Sequence, residues 1–484
     1  MIPVRLLIAS LLVVVLVPVA VPAAGQAFPA WIPDVPFGVT GYIGETEKGI
    51  FDTPTRVRSW LEFAELFGTE IEGLGVVAVG PAVKAFFAEG GGTAWIVRTV
   101  DSSDGALVGF DGGVPGARTG LAALRDVDEV SAVVVPGATS IAVQTAMITH
   151  CRSLGDRIAI LDGVPPGDLS SVLAQRAALG APEGFGALYS PWVETLYQGT
   201  PRTTPPSGFV AGVYARTAPY RSPVDILGSA IGLSTAYSSG EVDLLVPDGV
   251  NPIRSFPGQG IRVWGARTLA PVGDEMLYVA VRRAVNHLRE SIDEGTAFST
   301  SEPNDATLWT QLRALVENYL TVKWADGWLA GVTTSDAFFV RCDATTMTAQ
   351  DIAEGRTILL VGVALVRPAE FTIFEIVHER SGATSVTARR ETGARLLAPT
   401  PNPFNPRTTL TFTLERPGPV RLEVFDLAGR FVRTVVDSPS LPAGRHERTW
   451  DGRDARGRSV ASGVYSVRLR AGATNDVRRV TLVE

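Results

Sequence analysis

The hydrophobic period of this chain changes near residue 396, and the change restricts it to two architectures joined end to end. Upstream, short continuous apolar runs alternate with stretches whose apolar residues recur every three or four positions. "DEVSAVVVPG" (128–137), "SIAVQTAMITHCRSLGD" (140–156) and "RIAILDGVP" (157–165) read as buried strand, amphipathic helix and buried strand. Strands apolar on both faces and joined through a helix pair in parallel beneath helices. Downstream, the period falls to two. Val420, Leu422 and Val424 alternate with Arg421 and Glu423, and Tyr465, Val467 and Leu469 with Val464, Ser466 and Arg468. Six or seven such strands within about ninety residues, separated by turns, predict a β-sandwich.

The rest of the upstream part follows the same logic. Val39–Gly44 reads as a strand. Ser59 is placed to cap a helix with Glu62 completing a capping box, Trp60, Phe63, Ala64 and Phe67 inward, and Gly68 as the stop. A second helix spans roughly 80–89 and leads through "GGG" (90–92) into the strand "TAWIVRTV". Those glycines stand between helix and strand, the reverse of the order a phosphate loop needs, so they read as a turn. Leu277, Val281, Ala284, Val285, Leu288 and Ile292 predict a helix ending near Gly295. A further helix is capped at Asn304 or Asp305 and turns Leu308, Leu312, Leu315, Val316 and Tyr319 inward. A strand, a short helix capped by Thr348 with Asp351, and two strands joined at Pro368 complete the body. The expected fold class is therefore α/β (α+β), a multidomain body with an α/β insertion, followed by an all-β sandwich. The divisions read as 1–27, 28–100, 101–204 (the insertion), 205–380, a linker or arm at 381–395, and 396–484.

Charge and chemistry narrow the function. The net charge is −7, yet residues 396–484 hold 14 Arg, no Lys and nine acidic residues. Opposite signs at the two ends favour head-to-tail contact or a polyanionic surface, although only three Lys (48, 84 and 323) in the whole chain also indicate a general Arg bias. At the start, Arg5 precedes an apolar run from Leu6 to Val21 and then small residues, the form of a secretory signal peptide cleaved between Ala23 and Ala27. The run is short for a membrane span and Pro18 interrupts it. The expected location is extracellular or at the cell surface, with the periplasm as the other compartment. Cys151 and Cys342 lack metal-ligand spacing and read as buried thiols, with a single bridge as the alternative. Asp162, at the carboxyl end of a strand, and the Glu302/Asp305 pair are the sites where a hydrolase would place its carboxylates. A turn and a helix cap account for them without catalysis. Asp451 and Asp454 read as turn residues before calcium ligands. His150, His287, His378 and His446 stand outside any HExxH context, and neither GxSxG nor a P-loop occurs. No catalytic, cofactor-binding or metal residue is assigned, and the chain reads as a non-enzyme with no nucleic-acid partner.

Several ordered segments resemble the tail sheath protein of contractile phages and related injection systems. They are "GVTGYIGETEKG", "AVKAFFAEGGGTAWIVRTV", "SGFVAGVYARTAPYRSP", "GVNPIRSFPGQGIRVWGARTL", "ESIDEGTAF", "EPNDATLW", "FFVRCDATTMT" and "VRPAEFTIFEI", across about residues 37–378. The resemblance implies a structural subunit that stacks with its copies into a helical tube around an inner tube. It also implies terminal arms that add strands to a neighbour's sheet and a lattice that contracts by rigid-body movement. The family's extended amino-terminal arm is not visible; the leader and "QAFPAWIPDVP" take its place. "SVTARRETGA" (385–394) reads equally as a carboxy-terminal arm or a solvated linker. "PNPFNPRTTLTFTL", "VRLEVFDLAGRFVRTV", "LPAGRHERTWDG" and "DARGRSVASGVYSVRLRAG" resemble the FlgD-type Ig-like module and the sorting domains of the type IX secretion pathway. That implies an address or anchor, with outer-membrane secretion machinery as a partner. The function expected is an exported subunit that self-assembles into a tube, filament or coat. A monomeric surface-binding protein or a secreted hydrolase are the alternatives.

Overall fold

A computed structural model describes residues 29, 31–69, 79–180, 183–197, 199–365, 372–379, 394–397, 399–402, 404–414, 416–426, 430–471 and 474–483. The leader at 1–27, Pro368 and residues 381–393 of the arm or linker lie outside the described residues. An eight-stranded sheet organises the body. Its strand order is Gly260–Val263, Val250–Phe256, Gly186–Ser190, Ile158–Asp162, Ala132–Val134, Thr40–Gly44, Ala94–Arg98 and Thr55–Val57. The six inner strands are parallel and the two edges antiparallel. The parallel pairing expected from "SAVVV" and "RIAIL" is present, with Val133 opposite Ala159.

The central strands are apolar on both sides because helices cover both. Ala159 and Leu161 face one core with Val143, Met147 and Cys151 from the Ile141–Leu154 helix. Ile158 and Ile160 face the other, with Phe63, Phe86 and Phe209 from three different helices. On that second side the Val79–Ala88 and Ser207–Arg216 helices touch backbone to backbone: a Cβ added at Gly208 would lie 2.6 Å from the Ala82 Cα. Only glycine permits that approach. Ser59 caps the Trp60–Phe67 helix by accepting from the Glu62 N–H at 3.1 Å. The Glu62 carboxylate reaches one residue further than a capping box requires and accepts from the Arg58 N–H at 2.7 Å.

Residues 101–204, read from the sequence as an α/β insertion, contribute directly to the body's sheet. Three of their strands, Ala132–Val134, Ile158–Asp162 and Gly186–Ser190, fill the middle of the body's sheet between Thr40–Gly44 and Val250–Phe256. Local periodicity predicts that strands pair in parallel but carries no information on which distant strand lies beyond them. Backbone groups at both edges of this trio need partners, and the flanking segments supply them.

The Val279–Thr296 and Ala306–Ala325 helices pack on a three-stranded antiparallel sheet of Phe338–Arg341, Arg356–Val363 and Thr372–Glu379. Of the two cap candidates, Asp305 is the one used, accepting from Thr307 and Leu308 N–H at 2.9 and 3.1 Å. Asn304 instead accepts from Trp309 Nε1 and donates to the Arg356 carbonyl. Thr348 and Asp351 form the expected capping box. The carboxy-terminal part is a two-sheet sandwich. Ala394–Leu396, Thr408–Leu414 and Gly444–Trp450 form one sheet; Phe431–Leu441, Gly418–Asp426, Gly463–Ala471 and Thr474–Leu482 form the other. Phe412, Trp450, Val467 and Leu469 lie in the core between them.

Candidate functional site: charged nodes that join the elements

Three charge clusters, the second and third of them buried, connect segments distant in sequence. The first fixes the amino-terminal segment. Asp34 accepts from Lys323 Nζ at 2.5 Å, Tyr319 OH at 2.7 Å and His287 Nε2 at 3.2 Å. His287 stacks on Trp328, and the Lys323 ammonium sits 4.5 Å above the same ring. The Val279–Thr296 and Ala306–Ala325 helices thus both grip the segment that leads into the main sheet. Burial pushes the Asp34 carboxyl up, but the three hydrogen bonds outweigh it and hold the group well below the carboxylate range.

The second node is Asp162, 1% exposed at the end of its strand. Oδ1 accepts from the Ser207 N–H; Oδ2 accepts from the Gly137 N–H and the Ser207 hydroxyl, all at 2.8 Å. It caps the Ser207–Arg216 helix from another part of the chain and fastens the 137 loop beside it. Burial raises its carboxyl to about 6, against these hydrogen bonds. The turn role expected for Asp162 is replaced by this one because its donors come from 25 and 45 residues away.

The third node joins the β-sandwich to the body. On the outer face of the four-stranded sheet Glu423, Ser466 and Arg468 are only 1–3% exposed. Arg468 Nη1 donates to Glu375 Oε1 at 2.7 Å and Nη2 to Glu423 Oε2 at 2.5 Å. Its guanidinium also lies 4.6 Å from the Phe425 ring. Glu375 belongs to the Thr372–Glu379 strand, so one arginine bridges carboxylates on two different sheets.

The remaining candidates are dispersed. Glu302 and Asp305 flank the start of a helix, where Asp305 is a cap. Asp451 pairs with Arg433, and Asp454 accepts from the Arg456 and Arg458 N–H groups in its own turn. Cys151 and Cys342 are free and buried, and burial raises both thiols. His150 is buried within a helix, His378 meets Thr296 at 2.7 Å, and His446 stacks on Phe412. Among the described residues no group of three or more His, Cys, Asp or Glu side chains is placed to hold a metal ion. Nor is any helix among them long and apolar enough to cross a membrane.

Sequence reasoning missed Asp34, Glu375, Arg468 and Glu89. The last is 3% exposed and accepts from Arg216 and from the Gly228 and Ser229 N–H groups. A glutamate in the last turn of an apolar helix opposes the helix dipole, and that signal was available in "VKAFFAEG".

The chain is thus an α/β body strapped by ion pairs, with an all-β module docked on it. Residues 113–269 match the phage tail sheath protein central domain, residues 272–379 the phage tail sheath C-terminal domain, and residues 404–475 the FlgD Ig-like domain. The chain belongs to the tail sheath family, with a FlgD Ig-like domain at its carboxy-terminal side. A 133-residue stretch, 26% of the chain, is 27% identical to the tail sheath protein of Vibrio phage KVP40 and spans 20% of that relative's length. The sheath complex of an extracellular contractile injection system, PVC, in its contracted state aligns with TM-score 0.59 and 27% identity, over 76% of this chain and 98% of that one. The contracted helical sheath of the anti-feeding prophage aligns with TM-score 0.57 and 26% identity, over 73% and 98%. A sheath tail protein from Desulfitobacterium hafniense shares the fold at TM-score 0.51 and 11% identity, over 73% and 99%.

Proposed function

We propose that this chain is an exported structural subunit that assembles with copies of itself into a helical tube, filament or coat. In this reading the FlgD Ig-like domain serves secretion or surface attachment, and an inner tube protein is the natural second partner. The observation that carries the reading is the alignment with a contractile sheath subunit over 98% of that subunit's length. The apolar run from Leu6 to Val21 supports export, and the period change near 396 supports a separate address module. The division of labour is a leader at 1–27, a sheath-like body at 28–380, an arm or linker at 381–395 and the β-domain at 396–484. The role is structural, in line with relatives that are sheath proteins.

Electron microscopy of residues 28–484 at high concentration tests the reading. Regular tubes or filaments are expected, and deletion of 381–393 is expected to shorten or abolish them. Single particles at every concentration, together with turnover of a substrate, would overturn it. Amino-terminal sequencing of exported protein is expected to place the start between residues 24 and 28.

A further inference from the structure

The β-domain meets the body through a thin, charged contact, and each half keeps a core of its own. Leu312, Val361 and Ile376 pack in the core beneath the three-stranded sheet, and Phe412, Val467 and Leu469 in the core of the sandwich; among the described residues the two cores share no side chain. The docking side adds one apolar residue from each half. Leu360 stands in register with Glu375, so both face the same way, and it is 1% exposed yet lies outside the core beneath that sheet. Phe425, 4% exposed and outside the sandwich core, has the Arg468 guanidinium 4.6 Å from its ring. The remaining contacts are ionic and run one way. Arg468 and Arg470 of the Gly463–Ala471 strand reach Glu375 and Asp351 of the body, at 2.7 and 4.0 Å. The chain as a whole repeats this polarity: residues 396–484 hold 14 Arg against nine acidic residues, in a protein of net charge −7.

We propose that this docking face is exchanged between copies: the β-domain of one subunit seats on the Glu375 face of a second copy's body and joins the two without any strand pairing. Every copy carries both surfaces, and domain exchange reuses a contact that already fits. Fourteen residues, 380–393, separate Glu379 from Ala394, and a chain of that length spans up to about 50 Å. A compact body of some 350 residues is about 50 Å across, so a β-domain reaches a subunit in contact with its own. Contacts within and between chains are the same, and only the tether favours the first. Tethering over such a span supplies an effective concentration of about 1 mM. A docked-to-free ratio of about a hundred within one chain then corresponds to a dissociation constant of about 10 μM between chains. For free subunits docking within the chain wins. In an assembly a neighbour's body is as near as the chain's own, and the two compete on equal terms. The role rests on the self-assembly reading; the surface itself is present in the single subunit.

The test mixes two charge variants of residues 28–484. Arg468→Glu sets a like charge against Glu375 and Glu423, and Glu375→Arg sets one against Arg468. Each alone is therefore expected to be undocked, with a larger radius of gyration in small-angle scattering. Mixed, the β-domain of the Glu375→Arg chain and the body of the Arg468→Glu chain restore the wild-type pair, and only between chains. Hydrogen exchange reads the two bodies separately, because their peptides spanning 372–379 differ in mass at position 375. With the Glu375→Arg chain at about 100 μM, roughly ten times the dissociation constant, the 372–379 peptide of the Arg468→Glu chain is expected to exchange about tenfold more slowly than in that chain alone at the same total concentration. Unchanged exchange in the mixture overturns the proposal. So does either variant that stays docked by itself, since this pair would then not hold the contact. Wild-type tubes in the microscope beside unchanged exchange would sink this proposal and leave self-assembly standing; slowed exchange without tubes would do the reverse.

Discussion

Replacing Arg468 by methionine separates the β-domain from the body without touching either core. The guanidinium is shared by Glu375 on the body and Glu423 on the sandwich. After the substitution Glu423 keeps Arg421, whose Nε lies 3.0 Å from Oε1. Glu375, 5% exposed at its side chain, keeps no cation among the described residues. Removing one partner of a buried pair costs about 3–5 kcal/mol because the other charge is stranded away from water. That cost exists only while the two sheets are in contact, since undocking hydrates Glu375. The expected consequence is therefore release of the domain rather than unfolding, with the docked-to-free ratio falling at least about a hundredfold. Small-angle scattering is expected to show a larger radius of gyration. Hydrogen exchange is expected to accelerate in 372–379 and in the outer-face residues of 463–471, and to stay slow at Val467 and Leu469 in the sandwich core. Replacing both charges, Glu375→Met with Arg468→Met, leaves no stranded group and is expected to restore the docked state substantially. An Arg468→Met protein with unchanged scattering and exchange, or a double variant as open as the single one, would refute the reasoning.

Three further outcomes follow from the other contacts. Asp162→Asn places an amide N–H₂ against the Gly137 and Ser207 donors and is expected to cost about 1–3 kcal/mol in chemical denaturation at pH 7. Because the folded carboxyl titrates near 6, above its unfolded value, its contribution is fully present below the unfolded value and is lost as pH rises through about 6. The gap to Asp162→Asn is accordingly expected to widen from pH 7 to pH 5. Asp34 has the opposite sign: its folded carboxyl is depressed, so its contribution is present above the unfolded value and lost as pH falls below about 4. The melting difference between wild type and Asp34→Asn is expected to be small, because Asp34 is half exposed, flat above pH 5, and reduced at pH 3. Gly208→Val drives a side chain into the Ala82 backbone and is expected to cost about 1–3 kcal/mol, read in the same denaturation assay.

Much of this molecule was legible before any coordinates, and the legible part is local. Apolar spacing located the Ile141–Leu154, Val279–Thr296 and Ala306–Ala325 helices because a helix face is written every three or four residues. Ser59, Thr348 and Asp305 marked helix starts because a cap bonds within its own turn. The period of two identified the sandwich, and ordered motifs identified the sheath-like body. Tertiary structure alone decided what joins across distance: Ala132–Val134, Ile158–Asp162 and Gly186–Ser190 at the centre of one sheet, and Asp162 as a cap for a helix 45 residues on. It also decided that Arg468 is buried against Glu375, 93 residues away. In the sequence that arginine sits on the polar side of an alternating strand, where water is the default neighbour. Alternation records which side of a strand differs from the other, while the surface that comes to cover a polar side is contributed by another part of the chain.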